Sequence, residues 1–373
     1  MAKTGRAALL DKIEGTFTIE EAVVPDPGPG EVLVRQELCG VCGTDAHVYR
    51  GHMPRLRFPL VMGHEPVGII EKLGAGVTTD FSGRPIKEGD RIYIVPGLRC
   101  GQCYFCAVLK EPCLCRHGTG YGFRPLPDHP PHFQGGFAEY IHLNHPQSRF
   151  FQINADPRRA VLLEPFTIGL HQVDRVRLRP GQTVVIQGAG AIGLCTLMAA
   201  KLAGGHKAIV IGAPASRLAL AKELGADVTI NIEEIPDPKE RIALARAETT
   251  GRYGADAVFE CTGFPQAIPE GLEMLRRGGT YCVAGHFTDV GEVALNPFRH
   301  LNHKHITLVG VWASEVGHFQ QGREIMEGGH LPFERLVSHQ LPLERIGDAI
   351  NAIGQSYRLD GEEIRKVVIA AGA

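Results

Sequence analysis

Residues 188–193 form the sequence Gly-Ala-Gly-Ala-Ile-Gly, between an apolar run at 183–187 and a helical pattern at 194–202. Glycines at this spacing permit a tight turn, the close approach of a pyrophosphate and close packing of the helix on the strand. The helix N-terminus then faces the phosphate charge. A glycine-rich turn without a ligand is the alternative, but the strand-turn-helix context favours a nucleotide site. The candidate cofactor contacts here are Gly188, Gly190, Ala191, Ile192 and Gly193.

The chain around this turn alternates β-rich runs with helical patterns, which predicts a parallel, doubly wound α/β sheet of the Rossmann type. The six predicted strands are 183–187, 208–212, 227–231, 255–261, 279–284 and 306–311. This sheet defines a predicted dinucleotide-binding domain at 166–311.

The segments on either side of that domain have a different pattern. Short β-rich runs with Gly and Pro between them, at 31–36, 67–73 and 91–95, predict an all-β barrel. After residue 311 we expect a helix at 315–326, a strand at 336–340, a helix at 343–356 and a strand at 366–370. Residues 1–165 and 312–373 are therefore assigned to one further domain.

Composition limits the classes of partner. The 373 residues suffice for two or three domains, and 44% hydrophobic with 21% charged residues is ordinary globular usage. The net charge is −2, and no basic run suggests nucleic acid or anionic lipid as a partner, so neither nucleic acid nor membrane is expected. The N-terminal stretch has no apolar segment of secretory length, which favours the cytoplasm, where the ten cysteines stay reduced.

The second predicted strand of the α/β sheet lacks an expected acid. An Asp or Glu about 20 residues after the glycine turn would accept hydrogen bonds from the adenosine ribose of NAD. Gly212 occupies that position, followed by Ala-Pro-Ala and then Ser216 and Arg217. Ser216 and Arg217 are candidate contacts for the 2′-phosphate of NADP, although Arg217 could equally stack on adenine or be solvated. The choice between NAD and NADP stays open.

Five of the ten cysteines lie in one short segment. Cys100, Cys103 and Cys106 follow at three-residue intervals, and Cys113 and Cys115 come next. This spacing favours a closed Cys₄ zinc site, whereas buried thiols acting as small hydrophobes would not show such strict intervals. A nucleic-acid zinc ribbon has similar spacing, but the basic and aromatic residues that would accompany it are missing. The fourth ligand stays open between Cys113 and Cys115.

A second set of metal-type residues is dispersed along the chain. Cys42, His64 with Glu65, and Glu164 supply the donor types that a catalytic zinc uses, three protein ligands with one open position. Each residue alone is weak evidence, because a lone cysteine or acid is more often structural. Their combination with the nucleotide turn predicts an active site.

Taken together, these motifs resemble the zinc-dependent medium-chain dehydrogenase/reductase family of the alcohol dehydrogenase type. The resemblance covers nearly the whole chain, in the family's order: GVCGTDAH at 40–47, GHEPVG at 63–68, GDR at 89–91, the cysteine segment, GGFAEY at 135–140, LEP at 163–165, GAGAIG at 188–193, RLALAKELGAD at 217–227 and ECTG at 260–263. It implies a GroES-like β-barrel catalytic domain that holds two zinc ions, a Rossmann domain, and a C-terminal return to the first domain.

The resemblance also implies a role for each matching residue. Cys42, His64 and Glu164 match the catalytic zinc ligands, and Glu65 matches an acid that in some members approaches the metal. Thr44 matches the hydroxyl beside the alcohol, His47 the next proton relay position, and Asp45 a residue that orients a ligand. Cys100, Cys103 and Cys106 match three structural ligands. The family spacing would put the fourth on Leu114, and the Leu-Cys context favours Cys115 over Cys113.

The expected reaction is hydride transfer between an alcohol and NAD or NADP, giving an aldehyde or ketone. Zinc polarises the alcohol oxygen, Thr44 accepts its proton, and the cofactor ribose and His47 relay that proton to solvent. A zinc-free double-bond reductase of the same fold would not need the zinc residues, and a non-catalytic binding protein on this scaffold would not need Thr44 and His47. The family's use of its last Rossmann strand, here 306–311, predicts a homodimer or homotetramer.

The substrate is not specified by the sequence beyond a small alcohol or carbonyl compound. A proline-rich segment at 121–133 is expected to be a surface loop.

Overall fold

The computed structural model describes residues 2–53, 55–124 and 133–372, so residues 125–132 of the proline-rich segment, which was predicted to be a surface loop, lie outside the described part. The chain divides into two compact units, Met1–Glu164 with Glu315–Ala373, and Pro165–Ser314. The sequence had suggested divisions after residues 165 and 311. Among the described residues, no helix combines the length and the apolar character needed to span a membrane.

The first unit begins with short strands and little helix. Its strands are β1 Thr4–Leu10, β2 Phe17–Val23, β3 Val32–Val41, β4 Leu60–Val61, β5 Glu65–Leu73, β6 Arg91–Val95, β7 Gly97–Leu98, β8 Thr119–Gly120, β9 Tyr140–Leu143 and β10 Arg149–Gln152; its helices are α1 Gly43–Tyr49 and α2 Pro157–Ala160. The helix α1 was not expected. Its seven residues are too few to show an apolar period in the sequence. Hydrogen bonds to the side chains of Cys42 and Asp45 cap its N-terminus.

The second unit is the predicted α/β sheet. In chain order it contains α3 Leu163–Val176, which starts at the end of the first unit, β11 Thr183–Gln187, α4 Ala191–Leu202, β12 Lys207–Gly212, α5 Ala215–Glu223, β13 Val228–Asn231, α6 Pro238–Ala247, β14 Ala255–Glu260, α7 Ala267–Met274, β15 Leu275–Val283 and β16 Thr307–Gly310. The strand order is β13-β12-β11-β14-β15-β16, and every neighbouring pair is parallel. The doubly wound prediction is confirmed. The order reverses at β11, where such sheets bind ligands beyond the carboxyl ends of the strands.

The last segment returns to the first unit. It contains α8 Val316–Glu327, β17 Val337–Pro342, α9 Ile346–Gly354, β18 Arg358–Leu359, β19 Glu362–Glu363 and β20 Lys366–Ala370. Strand β20 pairs with β3 in antiparallel fashion and with β17 in parallel, inside a seven-stranded sheet. Helix α9 packs on α1, and their buried side chains share one apolar core with β3 and β20. This arrangement brings residues near 42 and near 366 together.

Candidate active site

The glycine turn of the second unit has a different use for each glycine. Gly188 has a φ of +109°, in the left-handed region that glycine tolerates best. A Cβ at Gly193 would lie 1.9 Å from the carbonyl oxygen of Gly188, so this glycine allows α4 to pack against the turn. At Gly190, just before Ala191 and Ile192 in the first turn of α4, an added Cβ would meet nothing within 4 Å. The turn is therefore closely packed between Gly188 and Gly193 and leaves open space at Gly190, as a bound pyrophosphate requires.

The structure at the end of β12 shows why position 212 is a glycine and where Ser216 and Arg217 lie. A Cβ at Gly212 would lie 2.8 Å from the backbone nitrogen of Ala189, so an acid at this position would displace the glycine turn. Ser216 is exposed at the start of α5, whereas Arg217 is only 8% exposed. Of the alternatives left open for Arg217, the solvated side chain is therefore excluded, and an Asp introduced at position 212 would disturb the glycine turn as well as any contact with the ribose.

In the first unit, the turn after β3 and the start of β5 bring Cys42 and His64 together. The Sγ of Cys42 lies 3.6 Å from Nε2 of His64. A tetrahedral zinc with ordinary bond lengths separates a sulfur and a nitrogen ligand by about 3.6 Å. Together with a carboxylate oxygen of Glu65, these ligand atoms lie within 4.8 Å of one another. We name these three residues the Cys42 cluster, and its donor set fits a zinc ion.

Asp45 lies behind both Cys42 and His64. Its Oδ2 accepts a hydrogen bond of 2.9 Å from the backbone N–H of Cys42, and its Oδ1 lies 3.5 Å from Nδ1 of His64. Burial lowers the pKa of His64, but the charges of Cys42 and Asp45 outweigh burial and raise it well above its ordinary value. The carboxylate thus turns Nε2 of the ring toward Cys42, as ligand-orienting acids do in metal sites.

Glu65 forms a buried ion pair that sequence reasoning missed. Its Oε2 contacts Nζ of Lys366 on β20, and the two side chains are 1% and 2% exposed. Burial lowers the pKa of Lys366, but the charge of Glu65 raises it above its ordinary value. A Cβ at Gly40 would overlap the carboxylate, at 1.9 Å from Oε2, so a glycine in β3 makes room for the pair. Lys366 gave little signal, because it begins an otherwise apolar strand.

Glu164, the third predicted catalytic ligand, lies in the first turn of α3 and is not part of the Cys42 cluster. Burial and then the negative charge of Glu65 raise its pKa to about 7, while the positive charges of His64 and Lys366 act in the opposite direction. Its backbone N–H donates to the Tyr93 hydroxyl at 3.3 Å. Glu164 therefore shares the electrostatic environment of the cluster.

The two predicted proton-transfer residues lie on α1, directly after Cys42. The backbone N–H of Thr44 donates to Sγ of Cys42 at 3.3 Å, which ties the start of the helix to the cluster. His47 lies one turn further along and is partly buried. Burial, followed by the charges of His52 and Arg50, lowers the pKa of His47. The lowered pKa favours the neutral imidazole, which is the form that can accept a proton.

The cysteine segment forms a second group of ligand atoms, which we name the four-cysteine cluster. Its Sγ atoms, also within 4.8 Å of one another, belong to Cys100, Cys103, Cys106 and Cys115. Cys115 lies 3.5 Å from Cys100 and 3.9 Å from Cys103 between sulfur atoms. Four thiolates around a tetrahedral zinc lie about 3.8 Å apart. The group therefore has the spacing of a closed zinc site.

Backbone N–H groups favour the thiolate at Cys100 and Cys103, whereas burial raises the pKa of Cys106 to about 12. Those of Gln102 and Cys103 lower the pKa of Cys100, and that of Cys106 lowers the pKa of Cys103 to about 6. Cys113 is outside the group. Burial and Glu315 raise its pKa to about 12, and its backbone N–H donates to Glu315 at 2.6 Å. The structure thus assembles Cys115, and not Cys113, with the other three.

The chain matches two protein-family models and is similar to known dehydrogenases. Residues 28–154 match the alcohol dehydrogenase GroES-like domain, and residues 191–327 match the zinc-binding dehydrogenase domain. The 5-exo-hydroxycamphor dehydrogenase of Pseudomonas putida is 32% identical over 356 residues, 93% of this chain and 95% of that protein. The chain belongs to the zinc-dependent medium-chain dehydrogenase/reductase family. It is an oxidoreductase of the alcohol dehydrogenase type.

Solved structures of this dehydrogenase family agree with the fold. An alcohol dehydrogenase from Thermotoga maritima superposes with a TM-score of 0.92 at 32% identity, covering 99% of this chain and 100% of that one. A zinc-binding dehydrogenase from Sinorhizobium meliloti 1021, solved with NADP bound, gives a TM-score of 0.85 at 28% identity and covers 99% of each chain. The predicted GroES-like and Rossmann architecture of the dehydrogenase is confirmed.

Proposed function

We propose that this dehydrogenase interconverts an alcohol and its aldehyde or ketone, with a zinc ion held by Cys42, His64 and Glu164. The 3.6 Å separation between Cys42 and His64, with Asp45 behind both, carries the proposal. Glu65 is the other carboxylate nearby, but its charge is already paired with Lys366. Glu164 is therefore the better third ligand, and Glu65 is the neighbouring acid.

The chain's own residues hold and move the proton. When bound, zinc supplies a Lewis acid that polarises the substrate oxygen, and the nicotinamide supplies the hydride acceptor or donor. We infer that the Thr44 hydroxyl takes the proton of the alcohol, since its backbone is tied to Cys42. His47, on the same helix and with a lowered pKa, is the next acceptor.

A second zinc ion is proposed for the four-cysteine cluster, with a structural role. The sulfur separations of 3.5 and 3.9 Å and the N–H donors around Cys100 and Cys103 support it. A closed set of four thiolates has no open position for a substrate. This ion would hold the segment from Cys100 to Cys115 in one conformation.

The nucleotide site is proposed to accept both NAD and NADP. With Gly212 in place of an acid, nothing at the end of β12 repels a 2′-phosphate. Ser216 and Arg217 are the proposed phosphate contacts, and the NADP-bound relative supports binding of that cofactor. We expect kcat/KM for the two cofactors to differ by less than about a hundredfold, or roughly 2.7 kcal/mol. A wild-type preference for NAD far above that limit would refute this account of the loop.

Association of subunits is proposed through β16. This strand is at the edge of its sheet. Leu308 within the strand is 44% exposed, and Trp312 just after it is 49% exposed. Pairing of two such edges would cover them, giving a dimer or tetramer. A monomer in light scattering would rule this out. The free cysteines are consistent with the cytoplasm as the proposed compartment.

The test of the function is a spectrophotometric assay with zinc-loaded protein. A panel of primary and secondary alcohols is offered with NAD and with NADP, and the absorbance of the reduced nicotinamide is followed. We expect turnover that a chelator abolishes and zinc restores. Reduction of activated double bonds that survives the chelator would instead favour the zinc-free reductase, and cofactor binding without turnover of any alcohol would favour a binding protein.

A further inference from the structure

A second histidine meets His47 at the end of α1. The helix ends at Tyr49, and Gly51, with a φ of +74°, turns the chain back. The backbone N–H of His52 then donates to the carbonyl oxygen of His47 at 2.9 Å. The two imidazoles come together with 2.8 Å between their Nδ1 atoms and 5.0 Å between ring centres.

This contact constrains the protons on the two rings. Two nitrogens at 2.8 Å form a hydrogen bond when one carries the proton and the other offers its lone pair. The two Nδ1 atoms therefore share one proton. Since Nδ1 of His47 is engaged in this way, a further proton that reaches His47 must enter at Nε2.

The two rings differ in their exposure to solvent, which indicates the direction in which a proton moves between them. His47 is partly buried, whereas His52 is exposed to solvent. After burial, the charges of His52 and Arg50, both from the turn that follows the helix, lower the pKa of His47. Both disfavour a lasting positive charge on His47, so a proton arriving there is readily passed on.

We propose that His52 is the proton carrier between His47 and solvent during alcohol oxidation, an inference that rests on the proposed role of His47. As a proton binds Nε2 of His47, the proton on its Nδ1 moves to Nδ1 of His52. His52 then releases the proton on its own Nε2 to water. One proton enters the pair and one leaves, and the hydrogen bond between the rings reverses its polarity.

Three variants separate this role from a structural one. His52→Gln keeps a side chain that hydrogen-bonds to His47 but cannot take up and release a proton, and His52→Ala removes both the hydrogen bond and the titratable group. His330→Gln changes an exposed histidine elsewhere in the first unit and is the matched control. Activity is measured from pH 6 to 9 in a bulky buffer, with and without added imidazole.

We expect kcat for alcohol oxidation to fall about tenfold at the acid end for both His52 variants, since a whole general acid-base group contributes about a hundredfold or more. Imidazole should restore the rate, and KM and thermal stability should stay at wild-type values. Wild-type kcat in His52→Gln at every pH, or a loss that imidazole does not restore, would overturn the proposal. If His47→Gln is impaired while His52→Gln is not, the proposed function stands and this inference fails. If the wild type oxidises no alcohol, both fail.

A readout without turnover completes the test. In the zinc-loaded, cofactor-free protein, histidine-selective NMR should give a higher pKa for His47 in His52→Ala than in the wild type, because the interaction with His52 that lowers this pKa is removed while that with Arg50 remains. A titration of His47 that is identical in the two proteins would contradict the contact on which the inference depends.

Discussion

The two candidate metal clusters of the first unit are supported in different ways. The four-cysteine cluster comes from sixteen consecutive residues and is held by backbone N–H groups of its own loop. The Cys42 cluster joins residues from the end of β3 and the start of β5, and Asp45 and the Lys366 ion pair support it from behind. On the proposed assignment, a zinc ion would order the loop of the first cluster, whereas the second cluster is built into the sheet. Removing a ligand should therefore affect stability in one case and activity in the other.

The largest effect is expected from Cys42→Ala. Loss of a catalytic zinc removes several kcal/mol of stabilisation of the developing charge, so kcat/KM should fall about a thousandfold or more. The midpoint of thermal unfolding should fall by only about 2–4 °C, the cost of one helix cap, because Sγ of Cys42 also accepts a hydrogen bond at the start of α1. Cys39→Ala is the control, because this buried thiol is three residues away and outside the cluster. Comparable losses of activity in both variants would contradict the different roles of the two cysteines.

Lys366→Met tests whether the sheet supports the Cys42 cluster. The substitution leaves Glu65 buried without its partner, which costs about 3–5 kcal/mol of unfolding free energy. Urea denaturation measures this cost, and the double variant Glu65→Gln/Lys366→Met should recover much of it. A single variant within about 1 kcal/mol of wild type would remove the ion pair from the account.

The matched pair Cys115→Ser and Cys113→Ser tests the four-cysteine cluster. Loss of a structural ligand at Cys115 should lower the thermal midpoint by about 5–10 °C, because zinc binding contributes directly to folding. Cys113→Ser should shift it by about 1 °C, as a substitution outside the cluster. Turnover of the Cys115 variant should persist below its midpoint. The reverse order of the two shifts would exchange the ligand assignment.

Asp45→Asn gives the smallest of these effects. The amide oxygen still accepts the hydrogen bond from the backbone of Cys42, but the charge facing His64 is lost. Zinc affinity in a chelator competition should fall about 10–100-fold, the usual cost of losing such a partner. Unchanged affinity would show that the charge of Asp45 does not orient the ring.

The sheet of the second unit was predictable because its inner strands, such as β11 and β12, are buried on both faces and read as apolar runs. The four-cysteine cluster was predictable because its ligands are close in sequence. Glu65, rather than Glu164, joins the compact group with Cys42 and His64, a matter of how β3, β5 and β20 pair. Spacing along the chain carries no information on that pairing.

The features that the sequence did not predict depend on contacts of the folded chain. The short helix α1 depends on hydrogen bonds at its first turn, in which the side chains of Cys42 and Asp45 take part. The role of Lys366 as the partner of Glu65 depends on the pairing of β20 with β3, which the sequence does not show. Position 212 requires glycine because the turn at Ala189 packs against it, a contact that the sequence does not show.

The central claim is that one chain holds two zinc ions with separate roles, and metal analysis tests it most directly. After zinc-replete expression, the wild type should contain about two zinc ions per chain, and Cys42→Ala and Cys115→Ala about one each. The remaining ion should be the structural one in the first variant and the catalytic one in the second. Less than about one zinc ion per wild-type chain, or two ions retained in Cys42→Ala, would contradict the account.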